Sequence, residues 1–276
     1  DNNLTLGDYL NKEKLSKEFI DYHIIPMVAA IWSMPPYEAS QMPLKFFLKF
    51  FQNHGLFKLK NRPKWYTVSN RSRTYVNKIL DKISGEHFKN YRINLIKRYK
   101  ENVEIFYGEK NEFFTYDKVV IATHADEALS LLENPSEDEK KLLSNFKYKN
   151  NLAVIHTDKN QMPKNKKAWS AWNAKLSKNV IENSSITYWL NLLQNLKFDE
   201  DVFLSLNPFD KIDEQKILNK VTFTHPYYDK SALESQAGLN KLQNVNNTLF
   251  CGSYFGYGFH EDGITSSLNM LNSIND

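Results

Sequence analysis

At 276 residues, with 41% hydrophobic and 14% aromatic side chains, the chain can bury a substantial core, which excludes a mainly disordered protein. Its 36 basic and 32 acidic residues leave a net charge of only +4, with lysines spread along the chain and interleaved with acids. The longest basic clusters, KNKK at 164–167 and IKRYK at 96–100, are short, so no nucleic-acid partner is expected.

One cysteine, Cys251, rules out an intramolecular disulfide and a thiolate metal cluster. No apolar run is long enough to cross a bilayer as a helix, and there is no secretory signal pattern, so a cytoplasmic location is expected. The chain opens DNNLTLGDYL without methionine, which points to a fragment or a processed chain.

In chain order, the first third reads as helical. Helix-spaced apolar residues run over 4–10, 14–23 and 24–32, and Met34-Pro35-Pro36 stops the third segment. Pro43 opens a further helix, LKFFLKFFQNHG, with Leu44, Phe47, Leu48 and Phe51 on one apolar face and Gly55 as C-cap. A helix over 72–83 ends at Gly85. Strands follow at 92–98, 103–107, 112–116 and 118–122, the middle two joined by a hairpin turn at 108–111. VVIA at 119–122 is a continuous apolar run, the pattern of a strand covered on both faces.

Helices are expected at 126–132 and from Ser136, where Ser136 and Glu139 have capping-box spacing. From Asn151 strands dominate: LAVIHT, KAWSAWNAKL, SSITYWLNLL, DVFLSLNP and KVTFTHP. A helix over 232–242 leads into the last unit.

That unit, TLFCGSYFGYGFHEDGITSSLNML at 248–271, reads as a strand, a glycine-rich crossing and a helix. The apolar run ends at Gly252, and Gly256, Gly258 and Gly263 permit turns and close approach. Asp262 is placed to cap a helix beginning near Gly263, whose free N–H groups and positive dipole end suit an electron-rich ligand. His260, Glu261 and Asp262 form an ionisable trio able to relay a proton or bind a polar ligand. Loop polarity and capping explain Glu261 and Asp262 about as well, so His260 is the site-facing candidate.

The seven histidines are scattered without HExxH spacing, so no metal site is expected. No GxSxG elbow is present, and Cys251 reads as a small buried side chain. The GxGxxG fingerprint is absent, so either no dinucleotide is bound or that loop belongs to sequence upstream.

Taken together, PMVAAIWSMP, FFQNHGL, RPKWYTVSNRSRTYV, DKVVIATHADEALSLL, NNLAVIHTDKNQMP, AWSAWN, ITYWLNLLQNL, LSLNP, THPYYD and FCGSYFGYGFHEDG resemble, in this order, the flavin-containing amine oxidase superfamily. The bacterial group described as predicted NAD/FAD-binding proteins is the nearer resemblance. It implies an α/β architecture in which a partial FAD/NAD(P)-binding domain is interleaved with a substrate domain of mixed sheet plus helices. The implied division is 1–65 as a substrate-side helical part, 66–125 as cofactor side, 126–245 as substrate domain, and 246–276 as the cofactor-side closing strand and helix.

The resemblance further implies FAD as cofactor. Ile93, in a strand matched through Ile96 and Arg98, would approach the adenine end, and Thr123 would close the returning strand VVIAT. Gly252 and Ser253 would lie beside the cofactor, and the backbone of Gly263, Ile264 and Thr265 beside the flavin pyrimidine oxygen. Tyr257 and His260 are the catalytic candidates. Three departures stand out. The pyrophosphate loop and the ribose-binding acid are not in this sequence, Asn70-Arg71 replaces the usual Gly-Gly before SRxYV, and Ser253 stands where many relatives carry an acid.

The implied activity is that of the C-terminal portion of an FAD-dependent oxidoreductase. It would oxidise or reduce an apolar substrate (an acyl lipid) or an amine by hydride transfer with the flavin. The alternative is a cofactor-free protein that binds an apolar ligand in an aromatic-lined cavity. A small-molecule or lipid partner is expected under either reading, peripheral membrane contact stays open, and the oligomeric state is not indicated.

Overall fold

The computed structural model describes residues 4–64, 66–176 and 184–274. Trp65, at one expected domain boundary, lies outside them. The chain divides into two units: Asp1–Phe50 with Phe146–Leu233, and Phe51–Asn145 with Glu234–Asp276.

Helix α1 (Leu6–Lys12) starts on a capping box: the Thr5 hydroxyl accepts the Asp8 N–H, and the Asp8 carboxylate accepts the Thr5 N–H. Ser16 caps α2 (Lys17–Phe19), which continues through a π-turn at Ile20–Ile24 into α3 (Ile25–Trp32). The two helices read from the sequence are thus one helical stretch. The Ile25 N–H reaches back five residues to the Ile20 carbonyl, a widened turn that accommodates the ring of Pro26.

Met34-Pro35-Pro36 ends α3 and also starts α4 (Pro36–Gln41), because a proline at the first helical position gives up no bond. In α5 (Leu44–Asn53) the buried face is Phe46, Phe47, Phe50 and Phe51, whereas Leu48 is 39% exposed. The expected face is therefore rotated, so that two phenylalanine pairs at i, i+4 lie inward. In the first unit the Trp32 ring meets those of Phe46 and Phe50 at 5.6 and 4.6 Å, and Phe46 stacks on Tyr228 at 5.2 Å.

Helix α6 (Arg73–Leu80) is shorter than expected and has no buried residue. Strands β1 (Ile93–Arg98), β2 (Val103–Tyr107) and β3 (Glu112–Tyr116) form an antiparallel sheet in the order β1-β2-β3. Its hairpin turns at Gly108 and Asn111, with φ of 68° and 51°. Next come β4 (Val119–Ile121), α7 (Ala125–Leu131) and α8 (Glu137–Leu143); α8 carries the expected Ser136–Glu139 capping box. Glu139 also receives the Arg98 guanidinium, with Nη1 on Oε1 and Nη2 3.0 Å from Oε2, and both side chains are buried. Arg98 thus ties β1 to α8.

Five antiparallel strands build the sheet of the first unit: β5 (Lys147–His156), β6 (Trp172–Leu176), β7 (Ser184–Trp189), β8 (Phe203–Leu206) and β9 (Ile217–Tyr227), in the order β6-β7-β8-β5-β9. The one-turn helix α9 (Leu190–Leu193) follows β7. The expected helix over 232–242 is two pieces, α10 (Lys230–Gln236) and a 3-10 turn at Leu239–Leu242, interrupted at Gly238. A Cβ on Gly238 would come within 2.8 Å of a Leu142 methyl, so this joint packs tightly.

The chain closes with β10 (Thr248–Phe250) and α11 (His260–Asn272). β10 pairs parallel with β4, Leu249 opposite Val120. Val119 and Ile121 are buried, but Val120 is 46% exposed. The apolar run VVIA is therefore not covered on both faces; within the described residues its sheet has two strands.

Candidate functional site

Strand β10 ends against α11 through a crossing whose glycines are sterically required. Gly252 has φ 155°, and a Cβ there would come within 2.7 Å of the Tyr254 ring. Its N–H donates to the Ser266 hydroxyl at 2.9 Å, and that hydroxyl donates to the Gly263 carbonyl at 2.7 Å. The Gln236 side-chain amide donates to the carbonyls of Tyr254 and Gly256 at 2.9 and 2.6 Å. Two polar side chains from separate helices thus hold the backbone of the crossing.

Helix α11 starts at His260, three residues earlier than the sequence reading placed it. Asp262 is its third residue and accepts the Phe259 N–H at 3.0 Å, so it reaches back over the helix start instead of preceding it. The Gly263 N–H already donates to the Phe259 carbonyl at 3.2 Å. Gly263, Ile264 and Thr265 therefore lie one turn inside the helix. The first-turn N–H groups, which lack intrahelical carbonyls, belong to His260, Glu261 and Asp262.

In front of this helix start lies a cleft of about 410 Å³ within the second unit. It is lined by Tyr75 and Ile79 from α6, by Gly252 and Ser253 after β10, and by His260, Gly263 and Ile264 from α11. The structure thus brings together five of the expected site residues. Tyr257, Ile93, Thr123 and Thr265 lie outside this lining. Burial, and then the charge of Asp262, push the Tyr257 phenol above its ordinary pKa. Ile93 is at the start of β1, the Thr123 hydroxyl donates to the His124 carbonyl at 3.1 Å, and Thr265 is exposed on α11.

The sequence reading missed Tyr75, whose hydroxyl is 2.7 Å from His260 Nδ1. The rings meet edge to face at a centroid distance of 6.2 Å. With Nδ1 engaged, Nε2 is the ring nitrogen left for another partner. Chemically the cleft offers backbone N–H donors, an oriented imidazole and apolar walls, a set that suits a planar, oxygen-bearing ring system. A Cβ on Gly263 would have only the Ser253 nitrogen near it, at 3.9 Å, so a flat group can approach the helix backbone here. These features fit the flavin end of the implied cofactor. No glycine-rich loop of GxGxxG type is present for its pyrophosphate.

A second polar cluster, in the first unit, has the composition of a nucleophile triad but not its chemistry. His156 is fully buried, and its Nδ1 accepts the Asp158 N–H at 3.1 Å. The ring proton is therefore on Nε2, which donates to the Ser205 hydroxyl at 2.8 Å. An imidazole donating to the hydroxyl cannot remove its proton. Burial holds the His156 pKa below its ordinary value, against the pull of the Asp158 charge. Among the described residues no cluster could hold a metal ion, and no helix is long and apolar enough to cross a membrane.

No family model and no curated protein matches this sequence. Solved structures share its fold at low identity. A CLA-producing fatty acid isomerase from P. acnes is 13% identical with a TM-score of 0.64, over 98% of this chain and 66% of that one. Wild-type putrescine oxidase bound to putrescine is 9% identical with a TM-score of 0.67, over 100% and 68%. Cyclohexylamine oxidase from Brevibacterium oxydans IH-35A is 12% identical with a TM-score of 0.58, over 100% and 69%. The chain has the α/β fold of the flavin amine oxidases and related FAD oxidoreductases. It spans about two thirds of the length of the chains it matches.

Proposed function

We propose that this chain forms the flavin-end and substrate-side part of an FAD-dependent oxidoreductase of amine-oxidase type. The observation that carries the reading is the cleft at the start of α11, reached from the parallel β4/β10 pair through Gly252, in a fold shared with such enzymes. Under this reading the second unit is the cofactor side, and the first unit, with its five-stranded sheet, the substrate side. Bound flavin supplies hydride chemistry, and the protein supplies orientation and electrostatics.

In the cleft, the first-turn N–H groups of α11 face negative charge on the ligand. His260, braced by Tyr75, presents its Nε2 to an oxygen or nitrogen of the bound molecule. The substrate is an apolar acyl compound or an amine, the two classes named among the proteins that share the fold.

Flavin retention in Gly263→Ala and Gly263→Val tests the placement. A methyl at Gly263 makes only an ordinary contact and improves the helix, whereas the branched side chain projects over the Ser253 N–H. Gly263→Val should lose bound flavin with its circular dichroism unchanged, and Gly263→Ala should keep it. Equal flavin content in both would refute the placement.

A further inference from the structure

The second unit carries a cationic stretch beside the flavin cleft, of which only Tyr75 and Ile79 line that cleft. Between Phe57 and Arg92 the sequence holds ten Lys or Arg residues and two acids, Asp81 and Glu86, in a chain whose totals are 36 and 32. Averaged over the whole chain, this local excess disappears. The ion pairs bring it out. Among the described residues every Lys or Arg in a salt bridge lies outside this stretch.

Apolar side chains are interleaved with these cations. Leu59 and Tyr66 are 90% and 86% exposed, and Phe57 and Ile83 are each at least half exposed. No described residue from 57 to 92 is buried.

We propose that this face docks on an anionic lipid bilayer. Unneutralised lysines and arginines are drawn to a negative headgroup surface, and exposed leucine, isoleucine and tyrosine side chains insert at the headgroup boundary. The same pattern disfavours other occupants. Two copies of so cationic a face repel each other. A nucleic acid is gripped by phosphate contacts and aromatic stacking, which give Leu59 and Ile83 nothing to bury against. The inference does not depend on flavin, so flavin-free protein tests it and its outcome is separate from that of the cofactor reading.

The test is co-sedimentation of the full chain with phosphatidylcholine vesicles and with vesicles containing phosphatidylserine. Binding should require phosphatidylserine and weaken as salt rises. Each basic side chain near such a surface contributes about fivefold, so reversing Lys58, Lys60, Arg62 and Lys64 to glutamate should lower partitioning by at least about a hundredfold. Leu59→Ser with Tyr66→Ser should lower it about tenfold and leave the salt dependence in place. All six of these side chains are exposed, so circular dichroism should not change. Equal binding to the two vesicle types, or no effect of the charge reversal, would overturn the proposal. So would tighter capture of an RNA oligonucleotide at matched salt, or release by inorganic pyrophosphate at matched ionic strength.

Discussion

Gly256→Ala tests the construction of the α11 start without touching the cleft. A Cβ on Gly256 would lie 2.2 Å from Asp262 Oδ1 and 2.5 Å from its Cγ, and that carboxylate holds the Phe259 N–H. The methyl fits only if Asp262 moves. Forcing it in costs about 1–3 kcal/mol as overpacking, and losing the hydrogen bond over the helix start costs about 1 kcal/mol more. The single variant should therefore lose about 2–4 kcal/mol, whereas Asp262→Ala alone should lose about 1 kcal/mol. In the double variant the methyl meets no carboxylate and only the Cβ of residue 262, 2.8 Å away, so the total should fall short of the sum by about 1–2 kcal/mol. Urea denaturation of the four proteins in this cycle reads every value. Costs that add to within about 0.5 kcal/mol would refute the close approach on which this account of the crossing rests.

Removing one partner of the buried Arg98–Glu139 pair, by Arg98→Met, should cost about 3–5 kcal/mol of unfolding free energy, because the carboxylate stays buried without its cation; a loss under about 1 kcal/mol would show the pair to be solvated. Acid should destabilise the protein in two stages. His156 is held neutral, with its pKa below the ordinary 6.5, so its contribution is present above that value and is lost as pH falls through it toward the lowered pKa. Burial raises the pKa of Glu139, but Arg98 and the Ser136 N–H outweigh it and leave the carboxyl below the ordinary 4.5, so its contribution is lost only at more acid pH. Thermal melts across this range check the order: His156→Gln should flatten the upper stage alone. Tyr75→Phe should shift the tautomer ratio of His260 about fivefold, the worth of a hydrogen bond of about 1 kcal/mol, as read from its ring ¹⁵N shifts; unchanged shifts would remove Tyr75 from the site.

Local signals carried over well from sequence to structure. The Ser136–Glu139 capping box, the hairpin at Gly108 and the strand–glycine–helix order of the closing unit each depend on a few adjacent residues. What the sequence did not reveal depended on partners far along the chain. Tyr75 and His260 are 185 residues apart, and neither carries a mark that predicts the other. Ser266 and Gln236 look like ordinary helix residues until the crossing lies over them.

Helix starts misled in two places for related reasons. Pro35-Pro36 reads as a stop but also supplies a first helical position, and Asp262 reads as an N-cap but works from the third. In α5, six apolar residues within eight positions leave the buried face undetermined until Trp32 and Tyr228 choose it. The cationic stretch from Phe57 to Arg92 was hidden by a net charge of +4 for the whole chain.

The visible absorption spectrum of the purified protein, read with its quenching of added FAD fluorescence, tests the central claim most directly. The account predicts oxidised-flavin bands that bleach on reduction, or saturable quenching by added FAD that Gly263→Val abolishes and Gly263→Ala retains. Colourless protein that leaves FAD fluorescence unquenched at every concentration would contradict it and favour a cofactor-free ligand-binding protein.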